Sequence, residues 1–348
     1  MTIESPKQFG FRSLFLCLLC LLTITGALGC GDHELTNEEL ISQLLSPDRE
    51  ERLKATVAIG SRGEKSAVAH EYLVDALNND QSFLVRQHAA RAIAWVAPQS
   101  EVSVNALISA LSDSHWAVRR AAAEALGDIG PFARKAVPTL ITTMNEFWMA
   151  RAAVDTVQWF VRPDALEQFQ IPSETFLKNI WSLSLTIVDA LGRIGPDSAS
   201  AIPALIPFIH YPDTDGQTRT TVALGKIGIR ALTARKDIEP LLNSPEVNVR
   251  RAAALTLGQI NARESIPLLT KLLEDKSSEM RKVAASALRT INTPASLDPL
   301  KQRVKSLIPL LQEKNWDVRR DAATALEELD TAEAKEALKT HRRFFPNT

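Results

Sequence analysis

The chain has 348 residues, 45% of them apolar and 6% aromatic, and sets 40 Lys and Arg against 41 Asp and Glu for a formal net charge of −1. That balance excludes a protein that captures nucleic acid through an overall positive field. All three cysteines, Cys17, Cys20 and Cys30, lie near the N-terminus, which excludes a disulfide framework for the rest.

Lys7 and Arg12 precede an apolar run from Leu14 to Leu22, and mostly small residues follow it down to Cys30. Such a run is short for a transmembrane helix, which needs ~20 apolar residues. A charged start, a short apolar core and a small-residue exit predict a secretory signal peptide over residues 1–29. Gly29-Cys30 resembles a bacterial lipobox, where the peptidase cuts before a cysteine already thioether-linked to diacylglycerol. The match departs at Ala27, where leucine is usual, with Leu28 following. An ordinary small-x-small cut after Ala27-Leu28-Gly29 is the other reading, and it severs the same bond. The resemblance implies a lipid on Cys30 and an envelope protein anchored to a membrane facing the periplasm or exterior. With Cys17 and Cys20 removed, no intramolecular disulfide is possible. Export also separates the chain from nucleic acid.

Residues 30–35 read as a polar tether. A first helix is expected near Thr36, with Glu39 as its capping-box partner.

From residue 36 to residue 345 the chain is repetitive. One pattern recurs nine times, most legibly as Val118-Arg119-Arg120-Ala121-Ala122-Ala123-Glu124-Ala125-Leu126-Gly127-Asp128-Ile129-Gly130. Anchored on its first arginine, the copies begin at Arg52, Arg86, Arg119, Arg151, Ser184, Gln217, Arg250, Arg281 and Arg319, mostly 31 to 34 residues apart. A period in this range means stacked units, not a closed globule. An apolar residue before the anchor, small residues three and six after it, and Leu or Ile next to the latter fall on one helical face. The Gly-x-Ile-Gly ending stops the helix. A looser first helix precedes each copy, with Pro138, Pro203, Pro240, Pro267 and Pro309 near its start, where a missing N–H costs least. Asp80, Asp113, Asn145 or Asp275 stands six residues before an anchor and can accept from the N–H groups of the helix that follows.

The run Pro-x-Leu, turn Asp, Val-Arg, Ala, Ala-Leu-Gly-x-Ile resembles HEAT repeats in their short bacterial form, similar to phycobilisome-lyase repeats. The resemblance covers residues 36 to 330, strongly at Asp113–Gly130 and Asp275–Ile291, and weakly where Ser184 and Gln217 replace the arginine. It implies an all-α solenoid of about nine helix-turn-helix repeats, closed by a capping helix over Thr331 to Phe345.

Candidate functional residues fall into three groups. Arg86, Arg119, Arg250, Arg281 and Arg319 recur in step with Asp80, Asp113 and Asp275, which predicts a structural ladder of charge-assisted hydrogen bonds between units. The competing reading is a basic surface for an acidic ligand. The residues after the anchors, Arg120, Arg251 and Arg320, are better placed to face an acidic partner. Residues 145–181 concentrate aromatics, among them Trp148, Trp159, Phe160 and Trp181, which form either a local core or a partner groove. In that copy Gln158 and Trp159 replace the motif's Leu and Gly.

No catalytic constellation stands out. His33-Glu34 and His70-Glu71 are out of register with the His-Glu pairs of a HEAT-repeat di-iron hydroxylase family, so neither metal nor cofactor is expected. The sequence therefore points to a lipid-anchored, non-catalytic scaffold that binds a protein partner. The alternative is an enzyme or enzyme subunit similar to bilin lyases, with a planar ligand at residues 145–181.

Overall fold

The computed structural model describes residues 34–160 and 173–344. The signal segment, Cys30 and the side chains of Trp159 and Phe160 lie outside the described residues. The first helix pair is α1 (Asn37–Leu44) and α2 (Arg49–Arg62). It is followed by α3 (His70–Asn79) and α4 (Phe83–Val96), α5 (Glu101–Ala110) and α6 (Trp116–Ile129), and α7 (Val137–Phe160) and α8 (Glu174–Ile194). The second half contains α9 (Ile202–His210) and α10 (Thr214–Ile227), α11 (Arg235–Ile238) and α12 (Val247–Gln259), and α13 (Ile266–Lys271) and α14 (Ser278–Ile291). The last pair is α15 (Pro294–Leu307) and α16 (Trp316–Leu329), and α17 (Ala332–Phe344) packs on α16. No described helix is long and apolar enough to cross a membrane.

Each even-numbered helix stacks on the next, from α2 through α16. The small residues of the motif set that approach. A Cβ on Gly127 would come within 2.8 Å of Ala190 Cα, and one on Gly192 within 2.9 Å of Ala223 Cα, so only glycine lets these helices meet. The apolar stripe is fully buried where the motif is intact, as at Val118, Ala122 and Leu126.

The chain leaves most stacked helices through one conformation. Eleven residues after the anchor, Gly63, Gly130, Gly195 and Gly228 have positive φ, between 58° and 78°. In the last three copies Asn261, Asn292 and Asp330 hold the same position, with φ of 57°, 50° and 51°. Glycine does this without steric cost, and Asn and Asp are the side chains that tolerate it best.

One legible copy does not join the stack. Gly127 faces Ala190, six residues after Ser184, and α6 packs directly on α8. The copy at Arg151 lies instead in the C-terminal half of α7, a continuous helix of 24 residues. Eight helices therefore stack among the described residues where nine copies are legible. The cause is local. Asp80 and Asp113 stand in the turn after a first helix and accept the N–H of Ser82 at 2.8 Å and of His115 at 2.7 Å, the residues that precede the second. Asn145-Glu146-Phe147-Trp148 makes no such turn, so α7 runs on. Helix α8 then occupies the vacated place, and Ser184 Oγ donates to the Met144 carbonyl at 3.2 Å.

Thr36 and Glu39 form the expected reciprocal capping box. Glu39 N–H donates to Thr36 Oγ1 at 3.2 Å, and Thr36 N–H donates to Glu39 Oε2 at 2.7 Å.

Candidate functional site

The anchor arginines work as a two-sided clamp. Arg52 Nη1 donates to the carbonyls of Ser46 and Pro47 in its own turn, while Nε and Nη2 fork onto Asp80 of the next repeat at 2.7 and 3.1 Å. Arg86 repeats this on Asp80 and Gln81 carbonyls and on the Asp113 carboxylate. Each arginine thus satisfies the turn it leaves and the turn it meets. The hydrogen bond to Asp113 raises the Arg86 pKa against a desolvation cost that lowers it.

Further along, the expected pairing changes. Arg119 meets Glu146 at 3.2 Å because Asn145 stands where the aspartate would be, and its buried Nε has no acceptor. Arg250 holds only its own turn, at Ser244 and Pro245, and Asp275 accepts the Ser277 N–H without an arginine. Arg281 clamps the carbonyls of Asp275 and Lys276, but its fork goes to the buried Glu328 carboxylate at 2.7 and 2.9 Å. Arg319 Nη1 donates to the carbonyls of Glu313 and Lys314. Carboxylate identity and source therefore vary, whereas the clamp on the residue's own turn recurs.

The three post-anchor arginines are not equivalent. Arg251 Nη1 pairs with Glu279 at 2.7 Å. Arg320 pairs with Asp317 at 3.1 Å and Asp321 at 3.0 Å, with its guanidinium 4.7 Å from the Trp316 ring centroid. Arg120 lies 5.1 Å over the Trp116 ring and meets no carboxylate among the described residues. Trp116 and Trp316, three residues before their anchors, share a repeat position with Phe83, Trp148 and Trp181. That recurrence can be counted in the sequence, and it identifies the platform beneath Arg120, which inspection of residues 145–181 alone misses.

Trp148 and Trp181 pack into an aromatic cluster, the arrangement of the local-core alternative. Phe147, Trp148, Trp181, Phe208 and Tyr211 bring α7, α8 and the end of α9 together, with ring centroids 4.7 to 5.7 Å apart. Trp181 lies parallel to Phe208 at 5.4 Å and presses on Gly216, where a Cβ would meet its ring at 2.8 Å. These rings spend their faces on one another. Trp148 Nε1 is buried without an acceptor, and nothing in the surroundings compensates it.

No group of three metal-ligating side chains occurs among the described residues. His70 Nε2 lies 2.8 Å from Ser103 Oγ, which itself donates to the Ala97 carbonyl, so the imidazole is the donor to the hydroxyl. A cavity of about 460 Å³ opens beside α16, lined by Arg281, Arg303, Leu307, Val318 and Ala322. It marks the last junction of the stack.

Residues 70–158 and 236–306 match the family described as HEAT repeats. No curated protein sequence matches the chain. Among solved structures, the complex of CpcE and CpcF of phycocyanin lyase from Nostoc sp. PCC7120 is 21% identical, with a TM-score of 0.44 over 88% of this chain and 99% of that one. An engineered protein is 21% identical, with a TM-score of 0.48 over 95% of this chain and 85% of its own. The archaeal HEAT-like repeats protein from Thermococcus onnurineus NA1 is 13% identical, with a TM-score of 0.43 over 77% of this chain and 98% of that one. Helix pairs stacked through a repeated Arg, Ala, Leu and Gly pattern make this chain an all-α solenoid, and its segments 70–158 and 236–306 match HEAT repeats.

Proposed function

We propose that this protein is a non-catalytic scaffold or adaptor that binds a protein partner, held at a bacterial envelope membrane by a lipid on Cys30. The observation that carries the reading is the departure of the Arg151 copy from the stack. It leaves Met149 62% exposed on α7 and Phe176 44% exposed on α8, on helical segments that the stacking of α6 on α8 does not need. Large apolar side chains exposed on such segments suit a partner surface. A planar-ligand reading loses support at Phe147, Trp148 and Trp181, whose rings pack against one another and against Phe208.

A photo-crosslinking residue placed at Met149 or Phe176 in intact cells tests the scaffold. One defined adduct supports it, and no adduct at either position removes it. The anchor has its own test. Mass spectrometry of the mature N-terminus should find diacylglycerol on Cys30, and an unmodified cysteine there would leave the scaffold without its membrane attachment.

A further inference from the structure

We infer that Arg120, lying over Trp116, is the point at which this solenoid takes a carboxylate from an acidic, aromatic-containing segment of its partner. The inference rests on the scaffold reading and specifies its partner's chemistry. It comes from comparing two copies of one arrangement. Trp116-Ala117-Val118-Arg119-Arg120-Ala121 and Trp316-Asp317-Val318-Arg319-Arg320-Asp321 place a guanidinium over an indole at 5.1 and 4.7 Å. In the second copy Asp317 and Asp321 take up the guanidinium at 3.1 and 3.0 Å. In the first copy alanines stand at both positions, so Arg120 keeps its in-plane N–H donors.

The surroundings do not neutralise it. Asp113 is forked by Arg86, Glu124 is paired with Arg91 at 3.3 Å and Glu146 with Arg119 at 3.2 Å. Each of these carboxylates has its own arginine, and Arg120 meets no carboxylate among the described residues. A guanidinium stacked on an aromatic face still presents its edge, with the geometry that binds a carboxylate through two parallel hydrogen bonds. Part of the ordering cost is already met, because Arg120 is half-buried against the indole.

An apolar platform adjoins it. Phe83 is 37% exposed, and its ring lies 3.7 Å from and nearly parallel to that of His115. The His115 ring is 6.2 Å from Trp116. A segment with a carboxylate on Arg120 and an aromatic residue beside it would cover Phe83 as well.

Calorimetric titration of the full chain with an end-capped Asp-Phe-Asp-Phe-Asp peptide, and with its Asn-Phe-Asn-Phe-Asn counterpart, tests this. The acidic peptide should bind at least about tenfold more tightly than the neutral one, and Arg120→Gln should remove about that factor. Arg320→Gln should change nothing. Replacing Asp317 and Asp321 together by Asn should free Arg320 and add a second, weaker site, because Ser278 and Asn315 stand where Phe83 and His115 flank Arg120, and an unfolded variant cannot produce that gain. Equal binding of the two peptides, or undiminished binding by Arg120→Gln, overturns the inference. A partner crosslinked at Met149 or Phe176 while the acidic peptide fails to bind overturns the inference and leaves the scaffold standing. Peptide binding with no crosslinked partner does the reverse.

Discussion

Arg86 and Asp113 sit in different repeats and meet through two parallel hydrogen bonds, Nε at 2.7 Å and Nη2 at 3.0 Å, with both side chains largely removed from solvent. Asp113 also accepts the His115 N–H that opens α6, so one carboxylate caps a helix and closes a joint. Asp113→Asn keeps the cap acceptor and spoils the fork. We expect it to cost about 2 to 3 kcal/mol in chemical denaturation, since it leaves a half-buried guanidinium with a neutral partner. Asp128→Asn, whose partner Arg193 is more exposed, should cost under about 1 kcal/mol. Equal losses at the two sites would contradict this account of the ladder.

Removing residues 148–180 joins Phe147 to Trp181 and sets Arg119 and Ser184 32 residues apart, one repeat period. The fused Asn145-Glu146-Phe147-Trp181 then has the spacing of Asp113-Ser114-His115-Trp116. Because α6 already packs on α8, the shortened chain should keep its helical signal per residue and unfold in one cooperative transition. Loss of cooperativity in circular dichroism melts would show that the excised segment holds the stack together.

Trp148 combines a useful ring with a costly N–H. Trp148→Phe retains an aromatic face for Phe147 and Phe208 and removes the buried donor, so stability should change by less than about 1 kcal/mol in either direction. Trp148→Ala should cost about 3 kcal/mol or more, as truncation of a large aromatic generally does. Comparable losses in both variants would mean that the indole nitrogen has a partner in solution.

Two histidines give the stability a pH dependence. Burial lowers the pKa of His70 and, together with the charge of Arg91, that of His88. Both thus take up a proton less readily when folded than when unfolded. The unfolded chain therefore binds more protons as pH falls below about 6.5, and stability should decline from there down to the depressed folded pKa values. His70→Gln with His88→Gln should flatten the urea midpoint across this window. A midpoint in the native chain that does not move between pH 7 and pH 5 would contradict it.

Much of this architecture can be read from one sequence because its determinants are local. Small residues, a Leu and a Gly at fixed offsets from an arginine define a helix that must be covered on two sides, and Asp at the turn sets where the helices divide. The Arg151 copy shows where such reading ends. It keeps the anchor and Ala152-Ala153 but lacks the turn aspartate, and Gln158 and Trp159 stand in place of Leu and Gly. Its exclusion follows from a missing helix stop, which an anchor-based count does not weigh. The aromatic cluster was harder to foresee, since Phe208 and Tyr211 approach Trp148 from beyond α8. The openness of Arg120 was legible in Ala117 and Ala121, but only by comparison with Asp317 and Asp321.

The forked joints are not evenly distributed. Arg52 and Arg86 lock the first boundaries, Arg119 makes a single contact, and Ser184, Gln217 and Arg250 supply no fork until Arg281 reaches Glu328. In a stack whose units touch only their neighbours, elasticity is set joint by joint. The middle joints are tied by other means, Arg193 to Asp128 at 2.7 Å, Arg219 to Asp189 at 2.5 Å and Thr256 to the Thr221 carbonyl at 2.9 Å. The forked turn-to-turn lock is thus concentrated at the end of the stack that carries the Trp116 platform.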